Sequence, residues 1–136
     1  MEVREIMTPQ PFCCVAFEPV QNAARMITAC HVGSLPVVAD QHSWTLRGIV
    51  TGRDLCAALA DGTDPVTTPV EAVMTKDPVT CQPHDDVEIC AKLMHERRVR
   101  RILVVDNHGR CIGIVAEVDL AGKGRLHAYR EDACRL

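Results

Sequence analysis

The sequence predicts an α+β fold of two tandem β-α-β-β-α repeats related by a pseudo-twofold axis. Three observations predict it. The chain repeats itself once: displaced by about 67 residues, Val3 falls on Val70, Met7 on Met74, Thr8 on Thr75, Pro11 on Pro78 and Cys14 on Cys81. Each copy then carries one stretch of helical period followed by two short Val- and Ile-rich runs, the pattern of a helix leading into a hairpin. Finally, 136 residues with 47% apolar side chains can bury a core, and 3% aromatics make that core aliphatic.

The elements follow in order. A short helical turn precedes Met7-Thr8, and its counterpart precedes Met74-Thr75. An extended, proline-marked stretch comes next. The first helix shows apolar residues at Val20, Ala23, Ala24, Ile27 and Cys30, and its partner at Val87, Cys90, Ala91 and Met94. That spacing puts them on one buried face. Pro19 suits a first helical turn, and Asp85 with Glu88 reads as a capping box. The hairpins pair Leu35–Ala39 with Leu46–Val50, and Ile102–Val105 with Cys111–Val115, across polar turns. Here copy one carries two extra residues around Trp44, so that Gly48-Ile49-Val50 falls on Gly113-Ile114-Val115 and Asp54-Leu55 on Asp119-Leu120. A second helix begins near Thr51-Gly52 or Ala116-Glu117. Gly62, Pro65 and Pro69 mark a linker. The expected organisation is repeat 1 over 1–60, a linker over 61–69, repeat 2 over 70–122 and a helical tail over 123–136. Leu126, Tyr129, Ala133 and Leu136 form the tail's amphipathic stripe.

Composition narrows the function. A net charge of −3 argues against a general nucleic-acid binder. No apolar run reaches the length of a membrane span, and Met1–Met7 lacks the apolar region of a signal peptide. Of the eight cysteines, Cys30, Cys56 and Cys90 fall within helical apolar patterns and Cys111 sits beside a strand. The expectation is a cytoplasmic protein whose thiols are mostly reduced, buried and structural.

The stretches "VREIMT" and "VEAVMT", "VGSLPVV" and "VRRILVV", "GIVTGRDL" and "GIVAEVDL" resemble those of a cystathionine-β-synthase (CBS) domain pair, or Bateman module, of the stand-alone prokaryotic type. The resemblance covers about residues 1–122. It implies a non-enzymatic regulatory module that binds an adenosine-containing ligand (AMP, ADP, ATP or S-adenosylmethionine) in clefts between the repeats, self-associates into a homodimer and reports to an unidentified protein partner. No cofactor is required. Two other readings stay open: a ligand-free dimerisation module, and a metal- or thiol-responsive switch.

Nucleotide chemistry suits "TGRD". It lies where a strand gives way to a helix, and free amides there favour an anion. Thr51 offers a hydroxyl, Gly52 permits close backbone approach, Arg53 offers a bidentate cation, and Asp54 accepts from a ribose diol. In the family pattern the Thr and the Asp three residues later take these roles. Thr51 and Asp54 read equally as a helix cap. In the second copy Asp119 keeps the acceptor, while Ala116 and Val118 replace Thr51 and Arg53, and Glu117 adds negative charge. Phosphate is therefore expected at the first cleft and disfavoured at the second. "HERRVRR" places Arg97, Arg98, Arg100 and Arg101 between helix and strand. They stabilise a helix end, or Arg100 or Arg101 turns into a cleft to hold phosphate. Cys81-x-x-His84 and His108-x-x-Cys111 have half-site spacing for zinc but complete no four-ligand motif, and no metal site is expected.

Overall fold

The computed structural model describes residues 1–122; the tail expected over 123–136, with its stripe, lies outside the described residues. Each copy opens with a 3-10 turn, Val3–Glu5 or Val70–Ala72. In copy one there follow β1 (Thr8–Pro9), β2 (Cys14–Val15), α1 (Val20–Cys30), β3 (Ser34–Val38), β4 (Leu46–Thr51) and α2 (Gly52–Ala60). Copy two repeats the order as β5 (Thr75–Lys76), β6 (Thr80–Cys81), α3 (Val87–Arg97), β7 (Arg101–Val105), β8 (Cys111–Ala116) and α4 (Glu117–Gly122).

The helices form where the apolar period predicts them. Pro19 precedes α1 as its N-cap, in extended conformation. His31 ends the helix in the left-handed region, at φ 55°, and donates its amide to Ile27 O. Arg98 ends α3 in the same way at φ 54°. One cap differs from expectation. Asp86, not Asp85, caps α3 by accepting from Glu88 N at 2.9 Å. Asp85 instead accepts from Gln82 N at 2.8 Å and holds the preceding turn.

The two sheets are related copies with orders β2-β3-β4-β5 and β6-β7-β8-β1. In each, the first pair is parallel and the other two are antiparallel. The outer strand is exchanged: β1 joins the sheet of copy two, and β5 joins that of copy one. The turn before each exchanged strand crosses with it. Val3 and Ile6 are fully buried among Cys90, Met94 and Ile102, while Val70 is buried among Val20, Leu35 and Val50. Matching amides fix both crossings, Val3 N to Asp85 O and Val70 N to Glu18 O, each at 2.8 Å.

Gly48 and Gly113 make the exchange possible. A Cβ on Gly48 would stand 2.6 Å from Thr75 O and 2.7 Å from Met74 Sδ. On Gly113 it would strike the Met7 side chain and stand 3.2 Å from Thr8 O. The repeated "GIV" is thus a strand that bares its backbone where the other copy's first strand crosses it. The halves also meet at their hairpin ends. Leu46 N donates to Gly109 O at 3.0 Å, and Cys111 N to Trp44 O at 2.9 Å. Val15, Val38 and Cys111 are buried together there, with Cys13 and Leu46 packed against them.

Candidate functional site

At the junction of β4 and α2, Thr51 is extended (φ −114°, ψ 163°) and the chain then turns into helix. Thr51 and Asp54 close a reciprocal capping box. Asp54 N donates to Thr51 Oγ1 at 3.1 Å, and Thr51 N donates to Asp54 Oδ2 at 2.9 Å. The cap leaves both side chains with capacity to spare. Thr51 accepts through its oxygen and keeps its hydroxyl proton to donate, and Asp54 keeps a second carboxylate oxygen. Both residues are half-buried, and Arg53 is exposed. Nothing stands within 4 Å of where a Gly52 Cβ would lie, so this glycine, unlike Gly48, fills no internal steric need.

Gly33 lies beside this junction, its carbonyl accepting from Gly52 N at 3.1 Å. Arg101 reaches it from the other copy: its guanidinium stands 2.9 Å from where a Gly33 Cβ would begin. A cation of copy two is thereby set against the loop that holds the Gly52 amide. Sequence reasoning singled out Arg101 but not Gly33 as the residue that makes room for it. The signal lay in the register, since Gly33-Ser34 stands where copy two has Arg100-Arg101. Ser34 pairs with Thr51 across the hairpin as Arg101 pairs with Ala116. The Ser34 hydroxyl is buried, at 5% exposure, and has no hydrogen-bond partner.

The corresponding junction in copy two is built differently. Asp119 is 0% exposed, and its Oδ2 accepts from Ala116 N at 2.8 Å. Ala116 is buried, while Glu117 and Val118 are exposed. Arg100 is exposed; its Nε lies 3.9 Å from Glu117 Oε2, and its carbonyl accepts from Glu117 N at 2.8 Å. Of the four arginines, the structure shows Arg101 turned toward copy one and Arg100 toward Glu117. Arg97 closes the last turn of α3, and Arg98 is its left-handed cap.

The thiols divide by burial. Cys14, Cys30, Cys81, Cys90 and Cys111 are buried, Cys13 is half-buried, and Cys56 is exposed. The exposure of Cys56 corrects the expectation from its helical pattern: the inward face of α2 is carried by Leu55 and Ala58. Burial and the Glu18 carboxylate push the Cys14 thiol up to about 12. Cys81 and Cys90 share a hydrogen bond at 3.2 Å between sulfurs; that bond and burial push Cys81 up. No cluster of three or more metal-ligating side chains occurs among the described residues. His84 of the proposed half-site lies 3.6 Å from Glu2 Oε2 instead. No helix among the described residues is long and apolar enough to cross a membrane.

Comparison with known proteins agrees with this architecture. The CBS domain family model matches residues 3–61 and again 70–124. The CBS domain-containing protein YhcV of Bacillus subtilis is 34% identical over 120 residues, 88% of this chain and 82% of that one. The structure of CBSX2 in complex with AMP superposes with a TM-score of 0.79 at 29% identity, covering 90% of this chain and 94% of that one. The CBS domain pair of protein MJ0100, in complex with 5′-methylthioadenosine and S-adenosyl-L-methionine, gives a TM-score of 0.78 at 27% identity, over 90% and 94% of the two chains. Two enzymes that the chain also matches are covered over only 24% and 22% of their length. With two matched repeats, two exchanged sheets and these relatives, the chain belongs to the CBS domain family as a tandem pair.

Proposed function

We propose that this pair is a regulatory module that senses an adenine nucleotide at the Thr51–Asp54 junction. The observation that carries the reading is the Arg101 guanidinium of copy two lying against Gly33, beside the Gly52 amide of copy one. An anion placed there would meet the helix N-terminus, the Thr51 hydroxyl and two arginines, Arg53 and Arg101. The free oxygen of Asp54 would accept from the ribose hydroxyls. The buried Ser34 hydroxyl gives a bound group one more polar partner to satisfy. Related CBS pairs bound to AMP and to S-adenosylmethionine support the ligand class.

The second junction is the weaker phosphate site in this reading. Arg100 faces Glu117, and Ala116 brings no hydroxyl. A ligand that draws Arg101 and Gly33 together couples the two halves, and through them a partner protein. The reading takes 1–60 and 70–122 as the repeats, 61–69 as linker, and a cytoplasmic homodimer as the working form. Leu59, Ile89 and Val118 are exposed on its helices and offer apolar surface for such pairing.

Gly52→Ala gives the cleanest test. Alanine has room in the protein and suits a first helical position better than glycine, by about 1 kcal/mol. The variant is expected to melt no lower than the parent, yet to lose AMP affinity about tenfold or more by calorimetry, because its Cβ intrudes where the backbone meets the ligand. Arg101→Ala should show a similar loss. Unchanged AMP binding in both variants, or no binding by the parent chain of AMP, ADP, ATP or S-adenosylmethionine, would sink the reading.

A further inference from the structure

Two cysteines from different halves meet where the hairpin ends join the sheets. Cys13 immediately precedes β2 of copy one; Cys111 opens β8 of copy two. Cys13 packs against the buried cluster that Cys111 forms with Val15 and Val38. The Cys13 thiol donates to Pro11 O at 3.3 Å, and the Cys111 thiol to Gly113 O at 3.8 Å. Cys111 is buried, at 5% exposure, while Cys13 is only half-buried. The pair therefore has one member that solvent reaches and one shielded member in the same apolar cluster.

We propose that Cys13 and Cys111 are a redox site, a dithiol that closes to a disulfide across the two halves of the pair. The oxidant is a low-molecular-weight disulfide. A thiolate of the pair attacks one sulfur of the oxidant and releases the other as a thiol. The second cysteine then displaces the remaining oxidant thiol from the mixed disulfide. The protein loses two hydrogens and two electrons, and the oxidant leaves as two thiols. Exposure assigns the roles: Cys13, which solvent reaches, meets the oxidant, and buried Cys111 resolves the mixed disulfide.

The register of the repeat sets this pair apart from a chance thiol contact. Cys13 falls on Thr80 and Cys111 on Leu46 in the other copy, so the pseudo-symmetric position holds no thiol. The Cys81–Cys90 pair lies wholly within the core of copy two, at 4% and 0% exposure, and is closed to an external disulfide in the folded protein. The two pairs also differ in what closure does. A Cys13–Cys111 bond closes a ring of roughly 100 residues and fixes one half against the other; a Cys81–Cys90 bond closes a ring of roughly 10.

The test exposes the full chain to glutathione disulfide and follows it by intact mass, non-reducing electrophoresis and peptide mapping. The expected result is a species that, apart from glutathione taken up by exposed Cys56, is lighter by two hydrogens, migrates faster, reverts with a reducing thiol, and yields a cross-linked peptide pair containing Cys13 and Cys111. Cys13→Ser and Cys111→Ser should each abolish the fast-migrating species. Mapping of the parent chain decides the matter even where a variant folds poorly. Cross-links at Cys81–Cys90 or Cys13–Cys14 instead, or glutathione retained on Cys13 without closure, would overturn the proposal. Nucleotide binding plays no part in this readout, so the dithiol and the nucleotide site stand or fall separately.

Discussion

At the scale of single residues, the contrast between Asp54 and Asp119 shows how one sequence position carries a structural duty and, in one copy, a second one. Both carboxylates accept from the last amide of the preceding strand, Thr51 N or Ala116 N. This explains why both copies keep the aspartate. Asp54 is half-buried and retains an oxygen outside the cap; Asp119 is sealed. Removing Asp119 leaves a buried amide unpaired, at a cost of about 1–3 kcal/mol, whereas removing Asp54 costs about 1 kcal/mol of capping. Asp119→Ala is therefore expected to lower the melting temperature more than Asp54→Ala, while Asp54→Ala loses nucleotide binding and Asp119→Ala keeps it. Parallel melts and AMP titrations check both halves of the statement; a larger affinity loss at Asp119 would contradict it. The cysteines follow the same logic of burial. Among the described cysteines, Cys56 should react first and fast with a thiol reagent in the native protein, and Cys14, Cys30, Cys81 and Cys90 slowly. Mass-resolved labelling would count against this if those four react as quickly as Cys56.

At the scale of elements, the helices and hairpins were legible because each has a local signal: apolar period, Val/Ile runs, Asp-led turns. Asp40 and Asp106 bear this out, each folding its turn by accepting amides two or more residues on. The exchange of β1 and β5 was not legible, because a two-residue strand has no period and its partner is distant in sequence. A trace of it was present in the repeated glycine of "GIV", whose reason is a crossing strand that only the assembled sheet reveals. The location of Arg101 against Gly33 was hidden for the same reason: four adjacent arginines look alike until the strand register aims each one. The glycine reading is testable. Gly48→Ala sets a methyl against the Thr75 carbonyl, a backbone atom that cannot swing away. It should destabilise the protein by about 1–3 kcal/mol, where Gly52→Ala should not. Gly113→Ala should cost less than Gly48→Ala, because its nearest obstacle is the flexible Met7 side chain. Denaturant midpoints at unchanged slope would measure all three, and equal effects at Gly48 and Gly52 would refute the steric account.

At the scale of the whole molecule, the exchange makes each half part of the other's core. Val3 and Ile6 of copy one complete the apolar cluster of copy two, and Val70 completes that of copy one. Burying an aliphatic side chain of this size contributes about 1.5–3 kcal/mol. Deleting residues 1–9 would therefore remove two fully buried side chains and an edge strand from the distant half, a loss comparable to a large share of a small domain's stability. Neither half has its full sheet without the other, so independent unfolding is not available to them. The molecule should unfold in a single cooperative transition. Trp44, in the hairpin turn of copy one where the halves meet, reports on that junction, and far-ultraviolet circular dichroism reports on the secondary structure of both halves. The two signals are expected to give coincident midpoints in denaturant for the intact chain. Deletion of 1–9 should shift both midpoints down together, although every deleted residue precedes the half it helps to build. Separate transitions in the intact chain would show that the exchanged strands do not bind the halves into one unit. The coupling mechanism would then fail as well, since a ligand at the Thr51 junction can govern the far half only if the two respond as one body.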